Sequence, residues 1–255
     1  MLLGAQLYTV RQFTQSEQDF ARSMEKVAAI GYKTVQISAI GPIPAKTVKK
    51  ICDDNGLAIV LTHTNPDRIL NETETVIEEH NIMDCPYIGI GMMPERYRFA
   101  GWLPYFMEDY RPAAQKIKAA GKLLMYHNHD FEFAKLGEAR VMDQLLAGFA
   151  PDELGFTLDT FWVQHAGGDV CSWIDKLAGR LPCVHLKDLD VISENGKSET
   201  VMAPVMEGNM NFPAILQAFE KAGTSYILVE QDVCREDPFA CLAKSYQNVS
   251  ALGYR

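Results

Sequence analysis

The stretch Leu124–Phe133, LMYHNHDFEF, ends an apolar run of strand character in two histidines, an aspartate and a glutamate within six residues. Imidazoles and carboxylates at that density can hold a divalent cation, move a proton or form a solvated turn. The stretch alone does not choose among these. Three later apolar runs end in the same way: GFTLD in Asp159, CVHLK in His185 and Lys187, and ILVE in Glu230. Asp159, His185 and Glu230, with His127 or His129, would offer two imidazoles and two carboxylates. Such a mixed set suits Mn²⁺, Zn²⁺, Co²⁺ or Fe²⁺ better than Mg²⁺ or Ca²⁺, which prefer oxygen shells. Taken singly, an inward Asp, Glu or His at a strand end is more often a satisfied hydrogen-bonding group than a ligand. Several converging on one place are a different matter, because unpaired buried charge is too costly to keep without a cation.

Convergence depends on the elements that carry these residues. Strand-like runs fall at Ala5–Val10, Thr34–Ala39, Ala58–His63, Tyr87–Gly91, Lys122–His127, Gly155–Asp159, Cys183–Lys187 and Ser225–Glu230. Between them lie helix-like segments: Ser16–Ile30, stopped at Gly31, Ala45–Asn55, stopped at Gly56, then Pro66–His80, Leu103–Ala120, Glu138–Phe149, Val170–Leu177, Phe212–Ala222 and Pro238–Leu252. Eight strand-then-helix units in 255 residues have the count and size of an α/β (β/α)₈ TIM barrel. A doubly wound open sheet is the alternative, but it usually carries a glycine-rich phosphate loop after its first strand, where this chain has TVRQFTQS. No linker-like composition divides the chain, so residues 1–255 are expected to form a single domain.

In a strand, alternate residues share a face, and in a parallel barrel the outward face packs on helices. With Phe156 and Leu158 outward, Asp159 points inward. Val184 and Leu186 outward leave His185 and Lys187 inside, and Ile227 and Val229 do the same for Glu230. Leu124 and Tyr126 outward turn His127 and His129 inward, and the same rule adds Gln6, Gln36 and His63. Polar groups from seven strands are thus expected at one mouth, where the histidines of LMYHNHDFEF cap a strand that feeds a site.

Composition narrows the partners. Hydrophobic residues make up 47% and charged residues 22% of the chain, as in ordinary soluble proteins. A net charge of −9 argues against broad nucleic-acid binding. No apolar run is long enough to span a membrane, and MLLGAQLYTVRQF does not have the layout of a leader, so a cytoplasmic protein is expected. The six cysteines show no Cys-x-x-Cys pair and are expected to be free thiols.

The segments GAQLYTVR, LMYHNHDFEF, FTLDTFWVQHAGGDV, CVHLKD, EGNMNF and ILVEQD, in this order, resemble the xylose isomerase-like TIM barrels, the superfamily of sugar phosphate isomerases and epimerases. The resemblance covers nearly the whole chain. It implies one divalent metal held by a Glu, an Asp, a His and a Glu from the last four strands, and the matching positions are His127, Asp159, His185 and Glu230. Three agree in residue type. The first does not, so the pair of glutamates with which epimerases remove and return a proton is incomplete. A second departure is Met206, where relatives tend to have glycine.

The resemblance implies a small-molecule sugar or sugar phosphate as substrate and an enolate as intermediate, in an isomerase or epimerase. Glu230 is the candidate base, and His127 or His129 the candidate for the second proton transfer. Histidine-rich fifth strands also occur in inosose dehydratase relatives, which makes metal-dependent elimination from a keto sugar or keto-inositol the alternative. A non-catalytic sugar-binding barrel is a third reading. A DNA repair endonuclease of the same fold would need Asp-x-x-His where this chain has Asp159-Thr-Phe-Trp162. Lys187 is a candidate for holding a hydroxyl or phosphate, or else a salt bridge to Asp188 or Glu207. Gln6, Gln36, His63, Trp162 and Glu132 are candidate substrate contacts, Phe161 and Trp162 either a sugar-facing wall or core packing, and His80 and His165 surface or helix residues. Paired barrels are common among relatives, which leaves a homo-oligomer open.

Overall fold

The computed structural model describes residues 1–255. Eight short parallel strands carry the apolar runs: β1 (Leu2–Gln6), β2 (Thr34–Ile37), β3 (Ala58–Thr64), β4 (Tyr87–Ile90), β5 (Leu123–His127), β6 (Leu154–Thr157), β7 (Cys183–Leu186) and β8 (Tyr226–Val229). Each strand from β1 to β5 is hydrogen-bonded to the next, and β8 pairs with both β1 and β7. The seam between β6 and β7 has no regular ladder. It closes at a single bridge between Asp159 and His185, where the His185 amide donates to the Leu158 carbonyl at 2.9 Å. The result is a (β/α)₈ barrel whose closing rung carries two of the candidate ligands.

Ten helices surround it: α1 (Glu17–Ile30), α2 (Ala45–Asp54), α3 (Pro66–Asn71), α4 (Thr73–Ile82), α5 (Leu103–Ala119), α6 (Val141–Gly148), α7 (Thr160–His165), α8 (Val170–Lys176), α9 (Phe212–Lys221) and α10 (Pro238–Ser250). Local chemistry sets their ends. Ser16 Oγ accepts the Asp19 amide to start α1, and Gly31 at φ 125° stops it, where any side chain would also strike the Tyr246 ring. Outward residues of every strand, among them Val35, Ile88, Leu124, Phe156, Val184 and Ile227, join the helices in one cluster of 58 buried apolar residues, as expected of one continuous core. Inside the barrel a smaller apolar layer of Val60, Leu61, Met125, Cys183 and Leu228 fills the N-terminal half.

Several boundaries differ from the periodicity reading. The first strand runs Leu2–Gln6, and Leu7–Phe13 is a 3₁₀ segment started by Gln6 Oε1, which accepts the Tyr8 amide. The helix expected over Pro66–His80 breaks at Glu72 into α3 and α4. Residues 135–140 form a small hairpin ahead of α6. The α7 turn follows Asp159 directly, because that carboxylate caps it by accepting the Trp162 amide. A long antiparallel hairpin, Asp188–Glu194 with Lys197–Ala203, extends β7 beyond the barrel. Its turn is Asn195-Gly196, both at positive φ, the strongest short hairpin signal a sequence can carry. No helix is long and apolar enough to cross a membrane. All six cysteines are free.

Candidate metal centre and cavity

The inward residues at the C-terminal ends of the strands meet at one point. His127, Asp159, His185 and Glu230 are all buried and each presents one ligand atom, the four lying within 4.8 Å of one another. Asp159 Oδ2 is 3.2 Å from His127 Nε2 and 3.7 Å from His185 Nδ1, and Glu230 Oε2 is 2.9 Å from His185 Nδ1.

What holds each ligand explains why these side chains point as they do. His127 Nδ1 lies 3.0 Å from the Gly91 carbonyl, which can only accept, so Nδ1 carries the proton and Nε2 faces Asp159. His185 Nε2 lies 2.7 Å from Gln36 Oε1, which assigns its proton to Nε2 and leaves Nδ1 without a hydrogen-bond partner. Gln6 donates to Glu230 Oε1 at 2.5 Å, turning Oε2 towards His185 and Lys187. Asn128 Oδ1 accepts the Asp159 amide at 3.0 Å, while Asp159 Oδ1 caps α7. Each ligand is thus tied on its far side by a specific partner, the outer-shell arrangement that orients metal-binding imidazoles and carboxylates. Gly91 permits it at the β4 end, since a Cβ there would lie 2.9 Å from the His63 ring.

The charges ask for a cation. Lys187 Nζ lies 2.9 Å from Asp159 Oδ2, from Glu230 Oε2 and from Asp232 Oδ1. Three carboxylates around one ammonium leave two negative charges, which a divalent ion would neutralise. Burial alone would raise Asp159 and Glu230, but Lys187 and the imidazoles overcome it and hold both carboxyls well below the ordinary range. Burial likewise would lower His185, but Glu230 and Asp159 draw a proton towards it. Lys187 and a proton drawn to His185 balance the carboxylates in the group itself, and a divalent ion would take their place by accepting lone pairs from the two imidazoles and charge from the two carboxylates. The residues present therefore fit a divalent ion in donor type, tautomer and charge.

Above this cluster opens a cavity of about 660 Å³, within the range of small-molecule sites. His63, His127, His129, Trp162, Lys187 and Glu230 line it. His63 takes Ser38 Oγ at Nδ1, and burial, followed by His127 and His185, keeps it far below its usual range. His129 faces the cavity beside Trp162, outside the ligand cluster, and burial with His127 pushes it down to about 3. It is therefore neutral near pH 7 and resists taking up a proton. Lys187 is held protonated, its burial outweighed by the three carboxylates.

Three candidate substrate contacts lie elsewhere. Gln6 and Gln36 are fully buried behind the cluster and hold Glu230 and His185. Glu132 is withdrawn from the cavity: Oε1 accepts the Tyr126 hydroxyl at 2.6 Å and Oε2 the His129 amide at 2.8 Å, fixing the loop after β5. Lys187 pairs with neither Asp188 nor Glu207; Asp188 instead accepts the amides of Leu189, Met206, Gly208 and Met210, and Glu207 faces Lys244. Phe161 is core and stacks on His165, which is exposed on α7. His80 is on a helix as expected but buried, bonded to Thr62 and the Val76 carbonyl. Asn128 and Asp232 were missed by the strand-parity reading because both stand just past a strand end, where alternation no longer applies. Asp232 did sit in the ILVEQD segment.

These features define a (β/α)₈ barrel with a candidate metal centre at the rim where such barrels place their chemistry. The chain belongs to the xylose isomerase-like TIM barrel family, whose model matches residues 24–240. No curated protein matches it in sequence. Among solved structures it is similar to a sugar phosphate isomerase/epimerase from Parabacteroides distasonis, with 23% identity, TM-score 0.82, and 98% of this chain and 93% of that one covered. It is also similar to the probable 3-DHS dehydratase involved in petrobactin synthesis from Bacillus anthracis, at 12% identity and TM-score 0.73 over 98% of this chain and 99% of that one. A third likeness is a xylose isomerase-like TIM barrel protein from Mycobacterium smegmatis in complex with magnesium, at 13% identity and TM-score 0.73 over 98% and 96% of the two chains.

Proposed function

We propose that this protein is a divalent-metal-dependent isomerase or epimerase of a sugar or sugar derivative, with His127, Asp159, His185 and Glu230 as the ligands. The observation that carries the reading is the pair of tautomer-fixed imidazoles whose lone pairs face two ionised carboxylates at the cavity floor. When bound, the ion supplies a Lewis acid that polarises a carbonyl and stabilises negative charge on its oxygen. A transition ion such as Mn²⁺, Zn²⁺, Co²⁺ or Fe²⁺ suits the two nitrogen donors better than Mg²⁺.

The chain's own groups then divide the work. Glu230, ionised and at the cavity wall, takes a proton from the carbon next to the substrate carbonyl. Lys187 offers an ammonium to a substrate oxygen at the same wall. Trp162 gives an apolar face for the sugar ring or chain, and Gln6 and Gln36 hold the ligand geometry.

A specific observation favours a second reading, elimination of water. His127 lies in the cluster and His129 resists protonation, so neither histidine of the fifth strand is a ready donor to return a proton to carbon. Lys187 could instead protonate a departing oxygen. Incubation of the Mn²⁺-loaded protein with keto sugars in D₂O separates the two: deuterium retained at carbon without loss of water marks isomerisation or epimerisation, and an unsaturated or deoxy-keto product marks elimination. Absence of any metal-dependent exchange or product across both would defeat the enzymatic reading in favour of a binding barrel.

A further inference from the structure

The cavity wall carries a second cation that the metal centre does not use. Arg98, in the loop between β4 and α5, is half-buried and lines the cavity. Its Nε and Nη2 both donate to the Met93 carbonyl, at 2.9 and 2.6 Å, and its guanidinium lies over the Phe131 ring, 4.9 Å from the centroid. These contacts fix the plane of the fork and leave Nη1 unengaged.

The contrast with other basic residues is informative. Arg68, Arg96 and Arg111 each pair with a carboxylate, and Lys187 faces three. Arg98 forms no ion pair. A guanidinium held rigid, half out of water and with no carboxylate in contact beside a small-molecule cavity is prepared for an oxyanion, which it can bind through its free Nη1. Its position also suits two-point binding. Arg98 sits on the β4–β5 side of the cavity with Phe131, and the Lys187–Asp232 pair sits on the β7–β8 side next to the candidate metal ligands.

Resting on the metal-dependent sugar reading above, we propose that Arg98 receives an acidic group of the substrate, so that the molecule handled is a keto sugar acid or a keto sugar phosphate. Carboxylate and phosphate share the chemistry that Arg98 reads, and a matched set of probes separates them: D-fructose, its 6-phosphate and D-fructuronate, which keep the keto group and differ in charge. Calorimetric titration of the Mn²⁺-loaded wild type should show at least one of the two anions binding about tenfold or more tightly than fructose, the scale of one charge-assisted contact. Which anion is preferred names the group. Arg98→Met should abolish that advantage while leaving fructose affinity and metal stoichiometry unchanged, and Arg98→Lys should keep part of it. A merely loop-supporting Arg98 would move all three affinities together. If neither anion binds more tightly than fructose, or if the advantage survives in Arg98→Met, the proposal is overturned. The same titrations on EDTA-treated protein keep the two readings apart, since an Arg98-dependent preference in a chain that binds no Mn²⁺ would remove the metal assignment and leave this one standing.

Discussion

The two ends of the barrel interior are built from the same strands and differ completely in character. At the N-terminal end the inward side chains are Leu61, Met125, Cys183 and Leu228, packed as a small apolar plug. Two residues further along the same strands stand His63, His127, His185 and Glu230. One pleat separates an apolar layer from a cluster of buried charge. The lower layer stabilises the fold by excluding water; the upper layer holds its carboxylates ionised through Lys187 and the imidazoles and faces the cavity. Position along the strand, more than residue type overall, divides stability from chemistry here.

Substitutions on either side of that boundary should have opposite signatures. Asp159→Asn or Glu230→Gln should lower turnover by about 10³-fold or more, the effect of removing a catalytic metal ligand or base. Activity surviving in both would break the comparison from above. Leu228→Ala, in the plug, should cost about 2–5 kcal/mol in denaturant unfolding and leave kcat near wild type at temperatures where the protein is folded. Gln36→Leu tests the layer between: freeing the far nitrogen of His185 should weaken Mn²⁺ affinity about 10- to 100-fold without a matching loss of stability.

Two smaller effects sharpen the picture outside the cluster. Burial raises the Glu132 carboxyl from 4.5 to about 7, with Tyr126, the His129 amide and Arg98 drawing it partly back. A carboxyl raised on folding contributes its full stability below pH 4.5 and loses it as pH climbs through about 7. Wild type should therefore weaken relative to Glu132→Gln across that window, by at most about 1.4 kcal/mol per pH unit, in urea melts at matched pH. Buried His80, lowered by burial to about 4, acts with the opposite sign in both proteins and cancels in the difference. Met206 adopts φ 70°, which glycine tolerates freely, so Met206→Gly should stabilise by about 1 kcal/mol or less once its partial packing is lost. A destabilisation would show that the Met206 side chain outweighs its backbone strain.

How much of this could be read beforehand depends on the physics that set each feature. Alternation in the strands was strong enough to give the barrel and to turn Asp159, His185, Glu230 and His127 to one interior, because a parallel barrel must bury its outer face against helices. Parity could not tell a cavity-facing group from one buried behind it. Gln6, Gln36 and Glu132 obey the same alternation or loop position as the ligands, yet bond to Glu230, His185 and the His129 amide respectively. Only three-dimensional packing separates those cases. His127, and not His129, lies in the cluster, bonded to a backbone carbonyl, that of Gly91, which no pattern in the fifth strand announces. The long hairpin after β7, by contrast, was legible in its Asn195-Gly196 turn and was masked by the expectation of a bare strand-then-helix unit.

The central assignment is most directly tested by titrating metal-stripped protein with Mn²⁺ and following free ion by electron paramagnetic resonance, for wild type, Asp159→Asn, His185→Ala and Leu228→Ala. One ion per chain in wild type and Leu228→Ala, with binding weakened by about 10²-fold or more in the other two, is the result the proposed metal centre predicts. No stoichiometric binding in wild type, or equal binding in all four, would contradict it.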